Sequence, residues 1–427
     1  MQQSIKKKPN LLPYVYIVTS FLVYLAVYAV RELLGAVSPS LLALSVFNED
    51  TLGVFSSIMF TFYGIGQFVN GFLGEKLNVK LMITAGLVSA SLCTLGFAIT
   101  DSLALRYVLW AICGYALSML YGPLTKSIAT HLDSNLARIA YVFLTVGAIL
   151  GSTVAGFIVG LCDQWYVSFF VTAAILAIPL VLFHIVNARF EKIAAEKEQA
   201  AEHDQTEEAL PANEDSFSLR KFISCFGVTT ICFLVVNMIL KAARHAVSFW
   251  APTYLADALG FEPRTAALIF GLTAVIKVVA PFFALVVYKW VKENERVVIL
   301  VSMIISSLCF CSMLLIKDPI IQVVLFTVAL FFIEASGSII GSVFLLSFKQ
   351  FGCVSAICGF FDSIAYLTAA VCTVLFSNVL SGGGWTAVLW VWTALPIAAG
   401  LVIAVVVNKR KFYVSPDKKR KIRKGEQ

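Results

Sequence analysis

Two arginines stand out by where they occur. One lies in Arg31-Glu-Leu-Leu-Gly-Ala-Val-Ser-Pro39-Ser40-Leu41-Leu42-Ala43, the other in Arg244-His-Ala-Val-Ser-Phe-Trp-Ala-Pro252-Thr253-Tyr254-Leu255-Ala256. Both stretches read Arg, seven residues, Pro, Ser or Thr, any residue, Leu, Ala. They are 213 residues apart (244 − 31), half of the 427-residue chain, and each arginine follows the last charge of a basic segment, Lys8 or Lys221, by 23 residues. Each sits in an apolar run, where a central arginine costs about 2.5–3.5 kcal/mol on insertion scales. A guanidinium is always ionised and offers a planar fork of donors that matches phosphate or carboxylate. A pair of them, one per half chain, suits an anion with two negative charges, such as inorganic phosphate or a phosphate monoester. The competing reading is that each arginine pairs with a buried acid and only ties helices together. Glu32, Glu334 and Asp362 are candidate acids.

The neighbours at helical spacing are polar. Lys241, Arg244, His245 and Ser248 fall at i, i+3, i+4 and i+7, one face of a helix. Tyr24, Tyr28, Arg31 and Ser38 form a similar stripe. A basic stripe facing lipid is unfavourable, so both are expected to line a cavity. His245 reads either as a ligand residue or as an interhelical hydrogen-bonding group, and the tyrosines either as binding or as packing residues. Lys241 suits an entry path for the anion or a salt bridge. Lys277, deep in its apolar run, is expected to neutralise Glu334 or Asp362; a third cation for the substrate is the alternative. Glu32 points about 100° around the helix from Arg31, as a counter-ion or a proton site.

The elements that position these residues are membrane spans. The chain is 59% hydrophobic and 13% charged, with a mean hydropathy of +0.88, and apolar runs of span length recur from end to end. Twelve spans are expected, at 12–36, 51–73, 80–100, 103–126, 139–161, 165–188, 222–256, 265–288, 297–316, 319–346, 353–379 and 386–408. The domain reading is a six-helix half over 1–188, a linker over 189–221, a second half over 222–408 and a basic tail over 409–427. This is an all-α polytopic layout of the major facilitator kind, with binding expected near the midplane between the halves. Residues 1–10 are too polar, and the run from Leu11 too long, for a cleaved signal peptide, so the first span is expected to be retained.

The net charge of +7 does not point to nucleic acid, because of how the charge is distributed. Of 32 Lys and Arg, five lie within spans and three (Arg106, Arg264, Lys317) on one side, leaving 24 in the tails and alternate loops. That asymmetry places both termini in the cytoplasm, in a cell (inner) membrane. The ten cysteines show no metal spacing and lie mostly in apolar runs, where cysteine acts as a small hydrophobe. No disulfide, metal or cofactor is expected, nothing resembles a catalytic constellation, and a monomer in the bilayer is the expected state.

The loop after the second span reads Gly71-Phe-Leu-Gly-Glu75-Lys76-Leu-Asn-Val-Lys80. It resembles the facilitator signature of a glycine, an acid and two bases. The resemblance implies an acid–base gate on the cytoplasmic side and a glycine that lets two helices approach. More specifically, Tyr28-x-x-Arg31 with Pro39, and Arg244 with Trp250-Ala251-Pro252-Thr253-Tyr254-Leu255, resemble the organophosphate:phosphate antiporters of the major facilitator superfamily. Tyr63-Gly64-Ile-Gly-Gln67-Phe68-Val-Asn-Gly71, Gly122-Pro123, and Gly359-Phe360-Phe361 with Ala365-Tyr366-Leu367 fit the same family. The resemblance implies exchange of a phosphorylated metabolite for inorganic phosphate, with Arg31 and Arg244 on the phosphate. Three departures stand out: Gln67 where the family usually has lysine, no histidine in the segment Val146–Gly151 where the glycerol-phosphate branch carries one before its glycine run, and Asp362 where a small neutral residue is common. They put the organic half of the pocket in doubt. Two alternatives remain at this point: a proton-coupled symporter of an organic anion, and a transporter-like sugar-phosphate sensor.

Overall fold

The computed structural model describes residues 11–201, 226–345, 347–348 and 354–405. The N-terminal ten residues, linker residues 202–221 and the basic tail 409–427 lie outside the described residues. The helices are α1 Leu12–Ala43, α2 Glu49–Lys76, α3 Val79–Ile99, α4 Leu103–Ser118, α5 Tyr121–His131, α6 Ser134–Leu161, α7 Trp165–Ile175 and α8 Ala177–Ala201. They continue as α9 Val228–Thr253, α10 Pro263–Lys277, α11 Ala280–Trp290, α12 Glu295–Leu315, α13 Pro319–Ile339 and α14 Val354–Ala404. Among the described residues, eleven helical stretches are long and apolar enough to cross a membrane.

The difference from twelve lies at the end of the chain. Spans eleven and twelve are a single run of 51 residues, α14, broken only at Gly384 (φ 64, ψ −171). An unbroken helix of that length is about 75 Å, more than twice a hydrocarbon core of about 30 Å. The break therefore divides two crossings, at a left-handed position that glycine occupies without strain. α8 continues as helix to Ala201, through the first part of the expected linker 189–221.

Helix starts follow their capping chemistry. Asn48, Asn78, Ser102 and Asp318 each accept a backbone N–H in the first turn of α2, α3, α4 and α13. Pro39 inside α1 cannot donate to the carbonyl four residues back, which is that of Gly35. The Ser38 hydroxyl donates to that carbonyl at 2.8 Å. Its hydrogen is then used, so Thr253 of α9 donates to Ser38 Oγ at 2.7 Å. In the second copy Pro252 precedes a π-helical turn, Tyr254–Ala258.

α1 packs on α6 and α9, α9 on α14, α2 on α14, and α6 on α10. We call the face where α1 begins the near face. The far side of the seam between α1 and α9 is shut: besides Ser38 and Thr253, a Cβ added to Gly35 would stand 3.1 Å from the Phe249 carbonyl. Beyond this seal, on the far face, lies an open vestibule of about 930 Å³ whose lining includes Glu49, Asp101, Asp257 and Arg106.

Candidate anion-binding chamber

Arg31 is the twentieth residue of α1, about 30 Å along it, and its side chain is fully buried. It is held by aromatic rings. Its guanidinium carbon lies 3.8 Å from the centre of the Tyr28 ring, with Tyr63 at 5.2 Å and Tyr366 at 5.4 Å. Such stacking is worth on the order of 2 kcal/mol when desolvated. Nη1 donates to Tyr366 Oη at 3.1 Å, and Nη2 lies 3.5 Å from Glu32 Oε1 and 3.4 Å from His245 Nδ1. A guanidinium has no acceptor, so Nδ1 accepts and the neutral His245 ring carries its proton on Nε2. That Nε2 and Arg31 Nε are buried without a hydrogen-bond partner among the described residues.

Arg244, on α9, faces the same space. Its Nε is 3.0 Å from Glu334 Oε2 of α13. Tyr28, Arg31, Glu32, Ser152, Arg244, His245, Ser248, Lys277 and Glu334 line one chamber. The chamber is contracted: the space open to a water-sized sphere is about 10 Å³, room for about one water. A phosphoryl group enters only if its walls or Glu334 move.

The two arginines from the two repeats therefore meet in one chamber, and each also has a carboxylate within reach. Both readings offered by the sequence are partly realised. One of the pairs, Arg31 with Glu32, is long and between adjacent residues, so it does not tie helices together.

Lys241 stands one turn nearer the near face and pairs with Asp362 of α14 at 3.2 Å. Its ammonium also lies 5.0 Å from the centre of the Tyr366 ring. Side-chain exposure is 0% for Arg31, 26% for Arg244, 18% for Lys241 and 40% for Asp362, so the acid paired one turn nearer the near face is the most exposed of the four.

Lys277 meets one of its expected partners, Glu334, only electrostatically and from beyond 4 Å. It ends α10, is buried and lines the chamber, but Glu334 and Asp362 are taken by Arg244 and Lys241. No ion pair within 4 Å is formed by its ammonium among the described residues. Helical spacing shows which face of a helix is polar; it does not show which neighbouring cation an acid meets first. Tyr24 is buried edge-on against Tyr28, 5.1 Å between ring centres, behind the chamber lining. Ser38 belongs to the far-side seal.

Among the described residues a Cβ at Gly71 would meet nothing within 4 Å, so no close helix approach is described at this glycine in this conformation. Glu75 and Lys76 end α2 and Lys80 lies in the first turn of α3, its backbone N–H capped by Asn78 at 2.9 Å. The side chains of Glu75 and Lys76 lie outside what the structure describes, and with them the expected acid–base gate.

Sequence reasoning missed Tyr366, Tyr63 and Ser152 as lining or positioning residues. A signal existed for the first: Tyr366 lies one helical turn after Asp362, so a residue reaching Lys241 implies a second on the same face of α14.

Residues 20–370 match the sequence profile of the Major Facilitator Superfamily. The chain belongs to that superfamily. It is similar to a protein named "Membrane sensor protein UhpC" from Salmonella typhimurium, at 22% identity with 58% of each chain covered. It is similar to a "Probable hexose phosphate transport protein" from Chlamydia pneumoniae, at 23% identity with 60% of each covered. It spans about three fifths of the length of these curated relatives. Their names support the resemblance to organophosphate:phosphate antiporters. Among solved structures, the peptide transporter POT in complex with sulfate superposes with a TM-score of 0.68 at 15% identity, covering 96% of each chain. That likeness concerns the fold.

Proposed function

We propose that the protein is a secondary transporter exchanging a phosphorylated metabolite, a sugar phosphate or similar ester, for inorganic phosphate by alternating access. The observation that carries this reading is the meeting of Arg31 and Arg244, from the two copies of one repeat, in a single buried chamber. Their forks, with the orphan His245 Nε2, supply donors on several sides of a tetrahedral oxyanion. Gathering a dianion draws the halves 1–188 and 222–408 together, and the empty site resists crossing because the arginines repel. The near face is the cytoplasmic one in this reading, the membrane is the inner membrane, and the protein works as a monomer.

Reconstitution in phosphate-loaded liposomes tests it. External phosphate esters should drive phosphate efflux, a pH gradient without internal phosphate should drive no uptake, and Arg31→Ala and Arg244→Ala should each abolish exchange. Exchange that survives both substitutions ends the reading. One observation favours a second reading: a relative bears the name of a membrane sensor. A sensor would bind sugar phosphate by calorimetry and show no flux in the same liposomes.

A further inference from the structure

The chamber's lining holds three cations, Arg31, Arg244 and Lys277, and two carboxylates, Glu32 and Glu334, with the Lys241–Asp362 pair beside it. Arg31, Lys241 and Arg244 each have a carboxylate at 3.0–3.5 Å, while Lys277 has none within 4 Å among the described residues. An unpaired buried ammonium is costly. Lys277 lines the same contracted space as the Arg244–Glu334 pair, and Glu334 and Glu32 reach it electrostatically from beyond 4 Å. Glu334 occupies Arg244 Nε, one edge of the fork that a phosphoryl group would use. A phosphoryl group that takes this edge displaces it. A displaced, buried carboxylate needs a new cation, and Lys277 is the one with no carboxylate within 4 Å among the described residues while Glu334 already acts on it at longer range.

We infer that Glu334 is a movable counter-ion that substrate transfers from Arg244 to Lys277, and that this transfer selects phosphate esters with an uncharged organic portion over phosphorylated acids and bisphosphates. The inference rests on the reading that Arg31 and Arg244 take the phosphoryl group. The selectivity follows from the charge count. With His245 neutral, the resting chamber has a surplus of one positive charge. A bound phosphoryl dianion turns this into a deficit of one. A second anionic group on the substrate would deepen the deficit and would find Lys277 already engaged by Glu334. A hydroxyl-bearing organic group adds no charge and can use the neutral donor and acceptor groups of Ser152 and Ser248, which line the same space. Lys241 stays with Asp362 throughout and does not enter the count of released charges.

The test is exchange in phosphate-loaded liposomes with the full chain, using inorganic phosphate, a phosphorylated polyol and a phosphorylated hydroxy acid of equal carbon number. The wild type should prefer the polyol ester at least about tenfold, and Lys277→Gln should slow phosphate exchange at least about tenfold, the scale expected when one partner of a buried charge pair is removed. The double variant Glu334→Gln/Lys277→Gln has no carboxylate to rehouse and should recover most of the lost rate. A purely structural role for Lys277 would not produce that recovery. Glu334→Gln alone leaves Lys277 bare and should accept the acid at least as well as the polyol ester, which keeps the idea open to test if Lys277→Gln does not reach the membrane. A double variant no faster than Lys277→Gln, a wild type indifferent to the second charge, or a Glu334→Gln variant that keeps the polyol preference overturns the transfer while leaving exchange intact. A wild type that exchanges no phosphate overturns the exchange reading itself.

Discussion

Arg31 is fixed on every side: a tyrosine ring against its face, a tyrosine hydroxyl at 3.1 Å and a histidine nitrogen at 3.4 Å. Lysine cannot reproduce a planar group that stacks and donates at once. Arg31→Lys should therefore lower phosphate exchange by on the order of a hundredfold, as loss of about 3 kcal/mol of positioned charge contacts implies. Tyr366→Phe keeps the ring and removes only the accepting hydroxyl. A hydrogen bond to a charged group is worth about 1.5–3 kcal/mol, so KM for phosphate should rise roughly ten- to a hundredfold. Radiolabelled phosphate counterflow measures both. An unchanged KM in Tyr366→Phe would mean that Tyr28 stacking and the His245 and Glu32 contacts orient Arg31 without this hydroxyl.

At the scale of elements, the repeated proline now has a local cause. It frees a carbonyl, a serine hydroxyl answers it, and the same hydroxyl joins α1 to α9 across the seam. Ser38→Cys with Thr253→Cys would place two thiols where oxygens now stand 2.7 Å apart. Oxidation should lock the far side shut and stop exchange, and reduction should restore it; either single cysteine variant should be insensitive. Gly35→Leu drives a side chain into the Phe249 backbone. It should disfavour this conformation and reduce exchange even though no ligand-lining atom changes.

The long apolar runs and the twofold repeat made the helices and the central arginines legible in the sequence, because insertion cost and periodicity act within one segment. Partnerships between segments were not legible. The assignment of Asp362 to Lys241 and of Glu334 to Arg244 depends on how α9, α13 and α14 rotate against one another, and no local pattern records that. The π-helical turn Tyr254–Ala258 was hidden for a related reason, since Pro252 marks where hydrogen bonding fails without saying how the chain repairs it.

At the scale of the whole molecule, the structure is sealed on the far side, and Asp362, the most exposed of the four charges compared, pairs with Lys241 toward the near face. A cysteine at 362, made by Asp362→Cys, should react with a charged, membrane-impermeant thiol reagent supplied at the near face and not at the far face. In sealed right-side-out and inverted vesicles this also reports orientation: labelling only in inverted vesicles fits a cytoplasmic near face, and labelling only in right-side-out vesicles reverses the assignment. Substrate should slow the labelling as the chamber closes around it.

The far vestibule carries three carboxylates against one guanidinium, and every anion arriving from that side must cross it. Its field repels the cargo before any pore opens, over a range set by a Debye length of about 8 Å at physiological salt. Traffic should consequently be rectified: raising ionic strength with an inert salt should speed loading from the far compartment and, because it also screens the basic near side, should not speed loading from the near one.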